Sequence, residues 1–130
     1  MSNEFLLHSP IIQVSFEEDI AILQPMNKAL LAVEAKELKD LFETGLKNDV
    51  TRYIIDLSKA DYISSEALGS VASCWNECKE GEQGRMAVVL APDEQNEVRN
   101  LFDIIGLSRM LGNGIKTSRS DAVNYIKEFA

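Results

Sequence analysis

The chain has 130 residues, 45% of them hydrophobic, which suits one domain built around one core and leaves little room for a second. Its 21 acidic and 13 basic residues give a formal net charge of −8, a balance that repels phosphate backbones and anionic lipid heads. Nucleic acid and membrane surfaces are therefore poor partners, and no apolar run reaches the ~18 residues that a membrane span needs. Met1 to Pro10 carries Glu4 and no basic stretch of the secretory kind, so a cytoplasmic protein is expected.

Residues 1–10 read as a loose lead-in, with the domain proper over residues 11–130. Ile11, Val14 and Phe16, with Gln13 and Ser15 between them, predict a first strand. Glu17-Glu18-Asp19 is a polar turn, and Ile20-Ala21-Ile22-Leu23 is a second strand that Pro25 stops. So short a connection makes the two antiparallel neighbours. Asn27 is a candidate helix N-cap, followed by an apolar stripe of Leu30, Val33, Ala35, Leu38, Leu41, Phe42 and Leu46 at helical spacing, with Gly45 near its end. Tyr53-Ile54-Ile55-Asp56-Leu57 has the look of a central strand covered on both faces.

Ser58 to Ser65 connects that strand to a helix starting at Glu66 or Ala67, carrying Leu68, Val71, Ala72, Trp75 and Cys78 inward and ending at Gly81 and Gly84. Met86 to Leu90 is a further buried strand. Pro92, followed by Asp93 and Glu94, marks a helix start whose Val98, Leu101, Phe102 and Ile105 face inward before Gly106. Leu107 to Gly114 turns the chain, Ile115 to Thr117 forms a weak edge strand, and Ser120 caps a last helix burying Ala122, Val123, Ile126 and Phe129. The order β-β-α-β-α-β-α-β-α predicts an α/β domain with parallel crossovers, an antiparallel opening hairpin and helices mainly on one face.

Catalytic or metal-binding sets are scarce. His8 is the sole histidine and lies in the lead-in, there is no phosphate-binding glycine loop, and Gly112-Asn113-Gly114 reads as a turn. Cys74 and Cys78 share a helix face one turn apart, which suits neither a disulfide nor a metal site, so two buried free thiols are expected. No enzyme activity, cofactor or metal is expected. The informative stretch is Asp56 to Gly69, between a central strand's C-terminal end and a helix start, where open α/β sheets place functional loops. Ser64 and Ser65 stand there either as helix caps or as hydroxyls whose phosphorylation would sit against the positive end of the helix dipole.

The strand Tyr53 to Leu57, the hydroxyl pair Ser64-Ser65 and the run Ala67-Leu68-Gly69 resemble the signature of the STAS family of bacterial anti-sigma factor antagonists. Met86 to Leu90, the helix leading into Phe102-Asp103-Ile104-Ile105-Gly106-Leu107, and Ser120-Asp121-Ala122 extend the likeness over about Ile11 to Phe129. The resemblance implies a single STAS-like domain, with a mixed central sheet, an N-terminal hairpin and about four helices packed mainly on one face. It also implies a regulator that binds an anti-sigma factor, often a serine protein kinase, and so frees a sigma factor. In such members phosphorylation of the serine region abolishes binding, and a phosphatase, of the PP2C type, restores it.

This sequence departs from the pattern: Ser64 stands where Asp is expected, Ser65 at the first hydroxyl position, Glu66 at the second, and Ala67 for glycine. Ser65 is thus the first candidate phosphoacceptor and Ser64 the second, while Glu66 would only partly imitate a phosphate. The expected partner surface combines the Ser58 to Ser65 loop, the next helix's first turns and the Pro25 to Lys28 bend. Its contacts are Lys59, Asp61, Tyr62, Ser64, Ser65 and Glu66, with Tyr62 as an anchor or as a cover for the sheet edge. Asp56 and Asp61 would lend acidic character for steering a basic partner. Two alternatives stand beside this reading: a STAS adaptor that scaffolds a signalling complex without being phosphorylated, and a ligand- or lipid-transport component.

Overall fold

The computed structural model describes residues 7–80, 85–93 and 96–128. The elements run β1 (Ile12–Glu17), β2 (Ile20–Pro25), β3 (Ala29–Leu30), α1 (Ala32–Lys47), β4 (Arg52–Asp56), β5 (Tyr62–Ile63) and α2 (Ser65–Glu80). They continue with β6 (Arg85–Val89), α3 (Glu97–Ile104), α4 (Leu107–Leu111), a 3-10 turn (Gly112–Gly114), β7 (Ile115–Lys116) and α5 (Arg119–Lys127). The main sheet has the order β1-β2-β4-β6-β7; β1 is antiparallel to β2 and the other pairings are parallel. The hairpin closes on Glu17 opposite Ile20, with Glu18 at φ 57 in its two-residue turn.

Alternation along the strands sorts side chains between two faces. Ala21, Leu23, Tyr53, Ile55, Met86 and Val88 point into the large core shared with α1, α2, α3 and α4. Ile20, Ile22, Ile54, Ala87 and Val89 point the other way, onto Ala122, Val123 and Ile126 of α5. A strand buried on both sides reads as an unbroken apolar run, which is why β2, β4 and β6 were legible. The expected mixed sheet, hairpin and bias of helices to one face all hold, and α5 alone covers the reverse face.

Several boundaries fall elsewhere than expected. Asn27 is not a cap: Leu31 precedes α1, and a short strand, β3, occupies Ala29–Leu30. The Glu34 carboxylate reaches back to accept from the Leu31 amide at 2.8 Å and from the Asn27 side chain at 2.9 Å. Val33 is 62% exposed, because it lies two positions before buried Ala35, about 200° round the helix. Pro92 does not open α3; Asn96 does, its side chain accepting from the Arg99 amide. Ile105 is half exposed instead of inward, α4 occupies part of the expected Leu107 to Gly114 turn, and Ser118, rather than Ser120, caps α5 through the Asp121 amide at 3.1 Å. Within the lead-in, Leu7 joins the core and the Ser9 hydroxyl accepts from the Ile11 and Ile12 amides. The expectations placed on Gly81, Gly84, Glu94 and Phe129 fall outside the described residues.

Candidate protein-docking site

The site is built where β2 and β4 end. Asp56, the last residue of β4, is only 3% exposed. Its Oδ1 accepts from the Ser58 amide at 3.0 Å and the Ser58 hydroxyl at 2.6 Å, an Asx turn that starts the following loop. Its Oδ2 accepts from Arg119 Nε at 2.6 Å, and the same guanidinium donates through Nη2 to Gln24 Oε1 at 2.8 Å. Burial pushes the Asp56 carboxyl's pKa up, but the Ser58 hydroxyl and amide and the Arg119 cation outweigh it and leave the pKa below its ordinary value. Asp56 is thus a buried, neutralised brace and cannot steer a partner as the sequence led us to expect.

The loop is tied to the bend that follows β2. The Lys28 carbonyl accepts from the amides of Asp61 at 2.8 Å and Tyr62 at 3.3 Å, and Ala29 and Leu30 pair in parallel with Tyr62 and Ile63. The Ser64 amide donates to the Leu30 carbonyl at 2.8 Å, and the Asn96 side chain donates to the Ala60 carbonyl at 3.2 Å, holding the loop against α3. These bonds bring the bend, the loop and the start of α2 onto one surface.

The two serines separate cleanly on that surface. Ser64 is 9% exposed, and its hydroxyl accepts from the Ala67 amide at 3.2 Å, so it is the N-cap of α2. Ser65, the first residue of α2, is exposed, and among the described residues its hydroxyl makes no hydrogen bond. Lys59, Asp61 and Glu66 are exposed around it, and Tyr62 is half exposed. With Lys28, also exposed, these charges balance, so the surface is neutral instead of acidic. Met26 (57% exposed), Leu31 (48%) and Val33 join Tyr62 (46%) as large apolar side chains left in solvent on the adjoining bend, β3–β5 pair and start of α1. Sequence reasoning included Met26 only as part of the Pro25 to Lys28 bend and missed Leu31, Val33, Gln24 and Arg119. For Arg119 a signal existed, since a cation in a helix's first turn opposes the dipole unless an acid holds it there.

Among the described residues no group of His, Cys, Asp or Glu gathers to hold a metal ion, and no helix is long and apolar enough to cross a membrane. Cys74 and Cys78 are free and buried; burial first, then the Cys78 thiol and Glu77 for Cys74 and Glu77 for Cys78, pushes both thiols up to about 12.

The sequence model of the STAS domain matches residues 12–122. The chain belongs to the STAS domain family. No curated protein matches the sequence. Among solved structures, this STAS domain resembles the Thermotoga maritima protein TM1081 at 24% identity and a TM-score of 0.74, over 92% of this chain and 91% of that one. An anti-sigma factor antagonist from Mycobacterium paratuberculosis superposes with a TM-score of 0.75 at 17% identity, over 93% and 99% of the two chains. The Bacillus cell fate determinant SpoIIAA, solved in its phosphorylated form, gives a TM-score of 0.64 at 17% identity, over 88% and 98%. At these identities the likeness fixes the fold.

Proposed function

We propose that this STAS domain is an anti-sigma factor antagonist acting in the cytoplasm. It docks onto an anti-sigma factor of the serine-kinase type through the surface around Ser65, so releasing a sigma factor. The observation that carries this reading is the exposed Ser65 hydroxyl at the head of α2, just after the Tyr62–Ile63 strand that pairs with Ala29–Leu30, with Leu31, Val33 and Tyr62 exposed on those segments. The neighbours described as an antagonist and as phosphorylated SpoIIAA support it. Lys59, Asp61 and Glu66 form the polar rim and Tyr62 the anchor.

Ser65 is the phosphoacceptor, because Ser64 already spends its oxygen on the cap. A phosphoryl group on Ser65 brings nearly two negative charges to a neutral surface beside apolar side chains and Glu66, and expels the partner. A PP2C-type phosphatase removes it. A second reading, a scaffold that is never phosphorylated, is favoured by Glu66 at the second hydroxyl position and by the burial of Ser64.

Incubation with the host's serine kinases and mapping by mass spectrometry separates the two. The switch requires phosphate on Ser65 and its loss in Ser65→Ala; binding without modification selects the scaffold, and no binding to any such kinase removes the partner assignment. Stability divides the serines as well. Ser64→Ala costs about 1 kcal/mol as a lost cap, and Ser65→Ala stays within about 0.5 kcal/mol, both read from urea midpoints.

A further inference from the structure

Arg119 lies at the start of α5, on the sheet face opposite α1 and α2, yet its guanidinium reaches the base of both chain segments that form the docking surface. Through Nε it holds Asp56, from which the Ser58 to Ser65 loop departs. Through Nη2 it holds Gln24, one residue before the Pro25 to Lys28 bend, and so reinforces the long 3.5 Å bond that Gln24 Nε2 itself donates to Asp56 Oδ2. The two segments then meet above it, where the Lys28 carbonyl accepts from Asp61 and Tyr62.

A guanidinium in the first turn of a helix faces the positive end of the dipole and is held there against that field by a carboxylate that is itself buried. Asp56 needs Arg119 in turn, because a buried carboxylate without its cation is costly. The planar fork presents Nε and Nη2 to the two acceptors at once, whereas a lysine would have to serve both from a single nitrogen at the end of a shorter, flexible stem.

We propose that Arg119 is a positioning residue for the docking surface: it clamps the β2 and β4 ends together, so that the placement of α5 is coupled to the order of the loop before Ser65. The effect on partner binding rests on the docking function proposed above, whereas the effect on the loop does not.

Amide hydrogen exchange on the full chain tests the clamp. Arg119→Ala is compared with Ser118→Ala, which removes the α5 cap and leaves the guanidinium contacts in place. In Arg119→Ala we expect the Asp61 and Tyr62 amides, which Arg119 does not touch, to exchange at least tenfold faster, with a smaller change at Ile54 and Val88. Ser118→Ala should shift loop and core amides together. Loop amides unchanged in Arg119→Ala, or an exchange pattern matching that of Ser118→Ala, would overturn the clamp. Arg119→Lys should fall between wild type and Arg119→Ala; full wild-type protection in it would contradict the need for a fork. A kinase-type anti-sigma factor that binds the wild type should bind Arg119→Ala at least tenfold more weakly. Equal binding despite a loosened loop defeats the coupling to function, while failure of the wild type to bind counts against the docking function and leaves the exchange result to decide the clamp.

Discussion

Gly45 sits inside α1 with an ordinary helical backbone, and its lack of a side chain serves Tyr53. A Cβ built there would stand 2.0 Å from the Tyr53 hydroxyl oxygen, and that hydroxyl donates to the Val50 carbonyl at 2.7 Å from a fully buried ring. Gly45→Ala should therefore destabilise the domain by about 1–3 kcal/mol, despite alanine's better helix propensity. Adding Tyr53→Phe should recover part of the loss, and a urea double-mutant cycle measures the coupling. The sequence showed the glycine but read it only as standing near the helix end, since nothing local reveals what crosses over it. Asp56 contributes to the domain's pH dependence, as does Glu34, whose pKa burial pushes up but the Asn27 side chain and the Leu31 amide hold below its ordinary value. The folded pKa of Asp56 lies below the unfolded value, so its contribution to stability is present above about pH 4 and is lost as pH falls through the folded value. Asp56→Asn should be less stable at pH 7 by about 1.5–3 kcal/mol, the range for hydrogen bonds to charged groups. Its stability should also fall less steeply below pH 4 than that of the wild type, as followed by circular dichroism.

Long, periodic elements were legible and short ones were not. β1, β2, β4, β6 and the inner faces of α1, α2 and α5 stand out as alternating, unbroken or helically spaced apolar residues. β3 and β5 have two residues each and α4 has five, too few to show a period, so the sequence showed a loop where a small parallel pair shapes the site. Helix starts were misplaced for a related reason. Asn27, Pro92 and Ser120 all belong to residue types that begin helices, but each lies near a start without being the residue that caps it. At the other end of α1 the Val50 amide donates to the Gly45 carbonyl and the Asp49 amide to that of Leu46, a Schellman closure with Asp49 at φ 66. That position favours glycine. Asp49→Gly should raise stability by about 0.5–1 kcal/mol in thermal or urea melts, with no effect on partner binding.

At the scale of the whole molecule, the site lies where three chain segments converge, and its members came from the sequence unevenly. The loop and its serines were marked by their place after a central strand. The apolar contributors Leu31 and Val33 were not, because a sequence cannot distinguish an apolar residue left in solvent from one bound for the core. Charge misled in the same way: the molecule carries −8, yet the surface around Ser65 sets Lys28 and Lys59 against Asp61 and Glu66, with Asp56 buried on Arg119. The most direct test of this surface is a hydrogen-exchange footprint of the protein alone and bound to a kinase-type anti-sigma factor. The account predicts protection over residues 26–33 and 58–69. Protection confined to Ile104, Ile105 and Met110, the other exposed apolar group on the described surface, would contradict it.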